Sequence, residues 1–393
     1  MIEPVSMKPS FTKSIRKSIR IRTIPGTETF VSREIFGVLP GKSSREVSIH
    51  WQKNRLGENG LFLTWQDHSW VEIFDYTRRL SRLRSIQGVG IHLASRQFCN
   101  TEPSLDAVLS FLDSQIRKAV TRGLFSALGD RSFACRSSRK GNHPFRSPKL
   151  EGAAGALIGR HLPRWKVDLK QPDVVVHLEL KNQRLHADIE PHPKDLSKRL
   201  GKVFNPRISL RPTAAYIMVR TALDCFAHPA LPQTPTLLDC FAGSGTILME
   251  AHTLLPDASL LGIEKNGNVF PGLVQNCQGT SRTDLRFGDC FDLAPTMPPE
   301  SVDLVITNPP LGVRLNRLQG AAAFHRRLFA LGSHLLKEGG ILGFLSLIRP
   351  DAMAGLLTQS HQHPSCFTQV GRMTMILNTL EVHFYLLRKG IQE

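Results

Sequence analysis

The stretch from Thr236 to Leu255 joins a short apolar strand, Thr236-Leu237-Leu238-Asp239-Cys240, to a helical run beginning at Thr246. The connection is a glycine turn, Phe241-Ala242-Gly243-Ser244-Gly245. A strand that passes through glycines directly into a helix opens a parallel α/β sheet, and few other folds accommodate it. Glycines here allow positive φ and let a ligand approach the backbone, with the amides of the helix N-terminus pointing at it. A dinucleotide fingerprint needs a third glycine, where this chain has Leu248, which argues against NAD or FAD. Asp239 before the turn would repel a pyrophosphate and suits a cationic ligand carrying an ammonium group.

Three further strands follow, each ending in a polar group. Ser259-Leu260-Leu261-Gly262-Ile263 ends at Glu264, an acid placed to accept hydrogen bonds from ribose hydroxyls. Leu285-Arg286-Phe287 ends at Gly288-Asp289, where a carboxylate can take an adenine amino group. The apolar run Val302 to Thr307 closes on Asn308-Pro309-Pro310-Leu311. Prolines have fixed φ and cannot continue a ladder, so this turn is stiff and its carbonyls stay free as acceptors. A side-chain amide beside rigid carbonyls, at the carboxyl edge of a sheet where ligands bind, suits a planar amine with two N–H donors.

Acids at successive strand tips followed by Asn-Pro-Pro match the order of class I S-adenosylmethionine methyltransferases, and residues 207 to 390 resemble the N6/N4/N2-amino methyltransferases. The resemblance implies a Rossmann-like domain in which Asp239, Phe241, Gly243, Gly245, Thr246, Glu264, Asp289 and Asn308 hold the cofactor. It further implies that Asn308, Pro309, Pro310 and Leu311 form the catalytic turn, with Asn308 and the Pro309 carbonyl orienting the exocyclic amine. The chain departs from the family at Leu311, where Tyr or Phe is usual. Leucine covers a base with apolar surface but lacks the π-face that adds roughly 1–3 kcal/mol per stacked base. No general base is required, because the amine proton becomes acidic as the N–C bond forms. His325 and Arg314 lie nearby in sequence and read as structural or phosphate-contacting groups.

Charge separates the 393 residues into unlike halves. Residues 1–212 carry 37 Lys and Arg against 19 Asp and Glu, a balance of +18, and residues 213–393 carry 13 against 14. A basic module joined to an electrically ordinary one is the footprint of a polyanion-binding appendage. The seven cysteines form no Cys-x-x-Cys and no metal-spaced cluster with His, which reads as a reduced, cytoplasmic protein without zinc or iron–sulfur. The longest apolar run, Ile341 to Ile348, is too short to span a membrane. Residues 1–18 read as a basic flexible tail.

In the basic half, residues 19–24 alternate like a half-buried strand, Glu28 to Phe36 reads as a helix, and 46–51 and 60–65 as strands. The spacing predicts a helix within 104–128, a strand from Ser132 to Arg136, a basic loop to Arg146, a helix from Glu151 to His161 and a strand from Val174 to Leu180. From Arg131 to Lys166 there are nine Lys and Arg and a single acid, Glu151. Gly141, His143 and Phe145 interleave with these cations, so phosphate pairing and base packing can occur together.

This order resembles a THUMP domain, an RNA-binding module, preceded by its usual ferredoxin-like partner. The resemblance rests on Ser132-Phe133 through Arg139, Gly141, His143, Phe145, Val167-Asp168-Leu169 and Pro172-Asp173. It implies RNA contacts from Arg136, Arg139, Lys140, His143, Phe145, Arg146 and Lys149. The expected architecture is α/β: a ferredoxin-like α+β module (19–95), a THUMP domain (96–194), a linker (195–212) and a class I methyltransferase domain (213–393). In the family the segment around Arg211 to Ala214 closes over the methionine end of the cofactor. Proteins of this architecture look like guanine-N2 methyltransferases of structured RNA, with tRNA slightly favoured over large-subunit rRNA, and neither a membrane nor a metal is implied. The open alternatives are a DNA or protein amino-methyltransferase and a non-catalytic RNA-binding scaffold that retains the cofactor fold.

Overall fold

The computed structural model describes residues 17–39, 48–53, 59–65, 68–99, 102–193, 201–226, 232–310, 318–360 and 367–390. The chain divides into two compact units, one comprising residues 1–22, 35–83 and 88–194, the other residues 23–34, 84–87 and 195–393.

The N-terminal elements are β1 (Lys17–Thr23), α1 (Glu28–Val38), β2 (Ser48–Lys53), β3 (Asn59–Trp65), α2 (Trp70–Leu80) and β4 (Ile86–Gln97). They run β-α-β-β-α-β with spatial order β2-β3-β1-β4, the split βαβ arrangement of ferredoxin-like modules. Helix α2 starts at a capping box, in which the Ser69 hydroxyl accepts from the Glu72 amide and the Glu72 carboxylate accepts from the Ser69 amide. Next come α3 (Leu105–Thr121), α4 (Leu124–Leu128), β5 (Ser132–Lys140), α5 (Ser147–His161), β6 (Lys166–Val167), β7 (Val174–Lys181) and β8 (Arg184–Glu190). Helix α3 buries Val108, Leu112, Ile116 and Ala119, the i, i+4 stripe visible in its spacing.

All eight strands form one sheet, ordered β2-β3-β1-β4-β8-β7-β5-β6, because β4 pairs antiparallel with β8. Across this sheet the buried Arg20 of β1 donates to Asp188 of β8 at 2.8 Å and to Glu179 of β7. Asp188 also bonds His92 Nδ1 at 2.8 Å. Burial pushes Asp188 up, but Arg20 and His92 hold it below the usual carboxylate range. The ferredoxin-like and THUMP portions therefore share a single hydrogen-bonded sheet.

Strand β5 is longer than its sequence suggests. Instead of ending at Arg136, it pairs in parallel with β7 as far as Lys140 opposite Lys181. Its other edge opens beyond Phe133, and there the Glu151 carboxylate accepts from the Ser137 amide at 2.7 Å and its hydroxyl at 2.9 Å. A side chain thus satisfies an edge amide that has no ladder partner among the described strands.

The second unit holds α6 (Pro212–Asp224), β9 (Thr236–Asp239), α7 (Thr246–Leu254), β10 (Ser259–Glu264), α8 (Phe270–Cys277), β11 (Thr283–Phe287), α9 (Cys290–Leu293) and β12 (Val302–Thr307). It ends with α10 (Leu318–Leu335), β13 (Leu336–Ser346), α11 (Pro350–Ser360), β14 (Phe367–Leu377) and β15 (Leu380–Lys389). The seven strands order as β11-β10-β9-β12-β13-β15-β14, with β15 antiparallel to both neighbours. Chain order reverses direction between β9 and β12, which makes their carboxyl ends a topological switch point. Every residue of β12 is buried, as expected of a central parallel strand covered on both faces. Its one acid, Asp303, pairs with Lys337 at 2.9 Å and accepts from the Thr236 amide at 2.8 Å.

Candidate cofactor and amine site

Four parallel strands bring the polar groups singled out in the sequence to one edge. Asp239 closes β9 and is buried; its Oδ1 accepts from the Thr307 hydroxyl at 2.7 Å and the Phe241 amide at 3.2 Å. Burial pushes its pKa up to about 7, opposed by those two bonds and reinforced by Glu264. At the tip of β10, Glu264 accepts from the Gly243 amide at 2.8 Å through Oε2 and the Asn266 amide at 2.7 Å through Oε1. Each oxygen keeps a lone pair for a further donor. Asp289 caps α9 just past β11, accepting from the Phe291 amide at 3.0 Å and from Lys265 at 3.2 Å. Burial raises Asp289, but those two donors win and hold it low.

The turn has little freedom to change. Gly243 and Gly245 have φ of +53° and +80°, and a Cβ on Gly245 would lie 2.8 Å from Cys277 Sγ and 2.9 Å from Leu273. Glycine at 245 is thus required both by backbone conformation and by the packing of α8. Thr246 begins α7 and is buried; its hydroxyl accepts from Lys202 Nζ at 2.8 Å.

Asn308 follows β12 directly. Its Oδ1 is buried and has no hydrogen-bond partner among the described residues. A buried acceptor without a donor is costly, and one at a ligand-binding edge points to a donor that arrives with the ligand. Pro309 is buried and Pro310 exposed; Leu311 and Arg314 lie outside the described residues. His325, on α10, is buried, bonded to the Ala321 carbonyl at 2.7 Å and to Ser346 at 3.1 Å. Burial lowers its pKa, so it is a neutral core histidine.

Three half-buried phenylalanines, Phe241, Phe291 and Phe324, cluster at this edge with ring centroids 5.6–6.0 Å apart, and the Arg327 guanidinium lies 4.1 Å from the Phe291 centroid. Sequence reasoning found Phe241 but missed Phe291, Phe324, Thr307 and Lys202. Thr307 adjoins Asn308 and could have been flagged by that position. The others carry no local pattern.

In the basic half, Arg136, Lys140, Arg146 and Lys149 are exposed, whereas His143 and Phe145 are buried. His143 Nε2 bonds the Asn182 carbonyl at 2.7 Å, pinning the loop to the β7–β8 hairpin. Arg139 lies 5.4 Å from the Phe145 centroid and donates to the Phe145 carbonyl and the Ser147 hydroxyl. His143, Phe145 and Arg139 thus shape the loop that displays the exposed cations. No described helix is long and apolar enough to cross a membrane, and no described group of three or more His, Cys, Asp or Glu could hold a metal ion.

Strand order, glycine turn and acids at consecutive strand tips define the second unit as a Rossmann-like class I methyltransferase domain. The family model for the THUMP domain matches residues 114–186, and that for the RMKL-like methyltransferase domain matches residues 199–347. The chain thus pairs a match to the THUMP domain with a match to the RMKL-like methyltransferase domain. It is 33% identical over 231 residues to a tRNA (guanine(6)-N2)-methyltransferase of Thermus thermophilus, covering 56% of this chain and 63% of that protein. A protein of the same name from Archaeoglobus fulgidus is 29% identical over 234 residues, covering 51% and 57%. The match spans less than two thirds of either relative. The crystal structure of TrmN from Thermus thermophilus superposes with a TM-score of 0.62 at 23% identity, covering 95% of this chain and 99% of that one. SMU.472 in complex with SAH superposes at 0.61 with 13% identity over 97% and 100%.

Proposed function

We propose that this protein transfers a methyl group from S-adenosylmethionine to the exocyclic N2 of a guanosine in structured RNA, with tRNA favoured over rRNA as the substrate. The observation that carries the reading is the buried Asn308 Oδ1 at the switch point, which has no donor among the described residues and suits an incoming N–H. The names of the two curated relatives, both tRNA guanine-N2 methyltransferases, support the choice of base and RNA. The site fits the cofactor on its own chemistry: Asp239 for an ammonium, Glu264 for ribose hydroxyls and Asp289 for an amino group. When bound, S-adenosylmethionine supplies a methyl group already activated on a sulfonium.

The protein's part is positioning. The Asn308 amide oxygen and the Pro309 carbonyl accept the two amine protons, which fixes the nitrogen lone pair outside their plane. The tie from Thr307 to Asp239 joins the strand end before Asn308 to the strand end before the glycine turn. RNA is held through phosphates by the exposed cations Arg136, Lys140, Arg146 and Lys149, since A-form grooves hide base edges. The target base leaves its stack to reach the site, and the single acid of this basic stretch, Glu151, is occupied by Ser137. The charge pattern and reduced cysteines fit a cytoplasmic setting.

The test is to incubate the purified protein with methyl-labelled S-adenosylmethionine and, separately, unmodified tRNA, rRNA and DNA, then identify the labelled nucleoside. N2-methylguanosine from tRNA is expected. Label on another base, or no label although the cofactor binds, would overturn the reading.

A further inference from the structure

Lys202 lies outside every helix and strand, in the segment preceding α6, yet its ammonium reaches the cofactor turn. Nζ donates to Ser244 Oγ at 2.7 Å, Thr246 Oγ1 at 2.8 Å and Ser209 Oγ at 2.9 Å. These hydroxyls satisfy its protons without neutralising its charge, and no ion pair joins it to a described carboxylate. Burial lowers Lys202 to about 8, with Cys277 opposing. Burial in turn raises the Cys277 thiol to about 11, so it is no counter-ion near neutral pH.

The ammonium is held in place rather than free to swing away. Asn276 of α8 accepts the Val203 and Phe204 amides, both at 2.9 Å, and donates to the Phe204 carbonyl at 2.7 Å and the Ser244 carbonyl at 2.9 Å. One side chain thereby fastens the segment carrying Lys202 to the glycine turn. Ser209 Oγ lies 3.0 Å from Ser244 Oγ and 3.4 Å from Thr246 Oγ1, so part of the donor capacity is used among the hydroxyls themselves. A hydroxyl proton left over must point elsewhere, and an anionic oxygen beside the ammonium is the complementary group.

The turn consequently has two poles. Asp239, the acid suited to an ammonium, accepts from the Phe241 amide at its start, and an uncompensated cation attends Ser244 and Thr246. A zwitterionic α-amino acid has the matching pair of charges. We infer that Lys202, with the Ser244 and Thr246 hydroxyls, receives the α-carboxylate of the cofactor's amino-acid end. This inference rests on the S-adenosylmethionine reading given under Proposed function.

The full chain is titrated calorimetrically with S-adenosylhomocysteine and with 5′-methylthioadenosine, which keeps the adenosine and thioether but has no carboxylate. Lys202→Met should weaken S-adenosylhomocysteine about 10- to 100-fold, the range of a hydrogen bond to a charged group, and leave methylthioadenosine unchanged. Equal losses for both ligands would make Lys202 a brace for the turn and overturn the carboxylate site, as would no loss for either. A measurement on the wild type guards against a variant that fails to fold: S-adenosylhomocysteine lacking its carboxylate should bind at least about tenfold more weakly than the parent. Equal affinity for the two would overturn the inference. A wild type that binds none of these ligands would instead overturn the methyltransferase reading itself, so the two failures are distinguishable.

Discussion

The Thr307 hydroxyl donates to Asp239 Oδ1 at 2.7 Å, joining the last residue of β12 to the last residue of β9 across the switch point. Asn308 lies one residue beyond Thr307, and the glycine turn begins at Phe241, two residues beyond Asp239. Beyond the backbone pairing of Leu304 with Leu237 and Val305 with Leu238, this buried hydrogen bond ties the strand end before Asn308 to the strand end before the glycine turn.

The burial of Asp239 gives cofactor binding a pH dependence, which that bond tempers. Burial raises Asp239 to about 7, with the Thr307 hydroxyl and Phe241 amide pulling down and Glu264 pushing up. Between the ordinary carboxylate range and pH 7, the folded protein holds a proton that the unfolded chain has released. Through this group, stability therefore falls as pH rises across that window. A cationic ligand needs the anion, so cofactor affinity should fall as pH drops below 7, approaching about tenfold per unit. Calorimetry in two buffers of different ionisation enthalpy should register proton release on binding at pH 6.5. Asp239→Asn should bind weakly with no such slope, and Thr307→Val should move the midpoint upward. A flat profile in the wild type would remove Asp239 from the ammonium site.

Asn308→Ala should abolish methyl transfer, by at least about 100-fold in turnover for a lost positioning contact, while leaving the affinity for S-adenosylhomocysteine within a few-fold of wild type. Stability should hold or rise slightly, because the substitution removes a buried acceptor that has no described donor. Unchanged turnover would take Asn308 out of the amine clamp.

What the sequence disclosed and what it concealed divide by the range of the interactions. The glycine turn, the acids at Glu264 and Asp289 and the Asn-Pro-Pro turn are each encoded within a few residues, and the structure places Asp239, Gly243, Glu264, Asp289 and Asn308 along one sheet edge. Lys202 gave no signal, because its role depends on Ser244 and Thr246 more than forty residues away. Arg20 reads as an exposed residue in an alternating strand, yet it is buried between Glu179 and Asp188 of two distant strands. Cations from Arg136 onward suggested a loop; an edge amide bonded by Glu151 and pairing with β7 keep them in a strand.

Among the basic residues, substitutions should separate by what each side chain touches. Lys140→Glu and Arg146→Glu should weaken RNA binding and flatten its salt dependence, by a slope of about one per phosphate contact removed. Arg139→Ala should act instead by loosening the loop, since the guanidinium is spent on Phe145 and Ser147. Its binding loss should come with little change in salt slope and with raised amide exchange across residues 141–146. A salt slope that falls as steeply for Arg139→Ala as for Lys140→Glu would place Arg139 on phosphate.

The second unit is discontinuous in sequence, and its stability should show it. Arg84 donates through Nε at 3.0 Å and a terminal nitrogen at 2.7 Å to Glu250 Oε2, on the helix that follows the glycine turn. Glu250 is fully buried. The Pro25 carbonyl accepts from the Ile376 amide at 3.0 Å, and Glu34 accepts from the Tyr216 hydroxyl. Gly26, with φ of +94°, packs so closely on the Thr374 carbonyl that a Cβ would lie 2.0 Å from it. Removing one partner of a buried ion pair costs several kcal/mol, so Arg84→Ala should destabilise this unit by roughly 3 kcal/mol. A fragment starting at residue 195 lacks Arg84, Glu34 and Pro25 together, and should melt well below the full chain or fail to fold cooperatively. Thermal unfolding with and without S-adenosylhomocysteine distinguishes the outcomes: a fragment 195–393 that melts like the full chain and responds to the ligand would show that these early segments are dispensable for the methyltransferase fold.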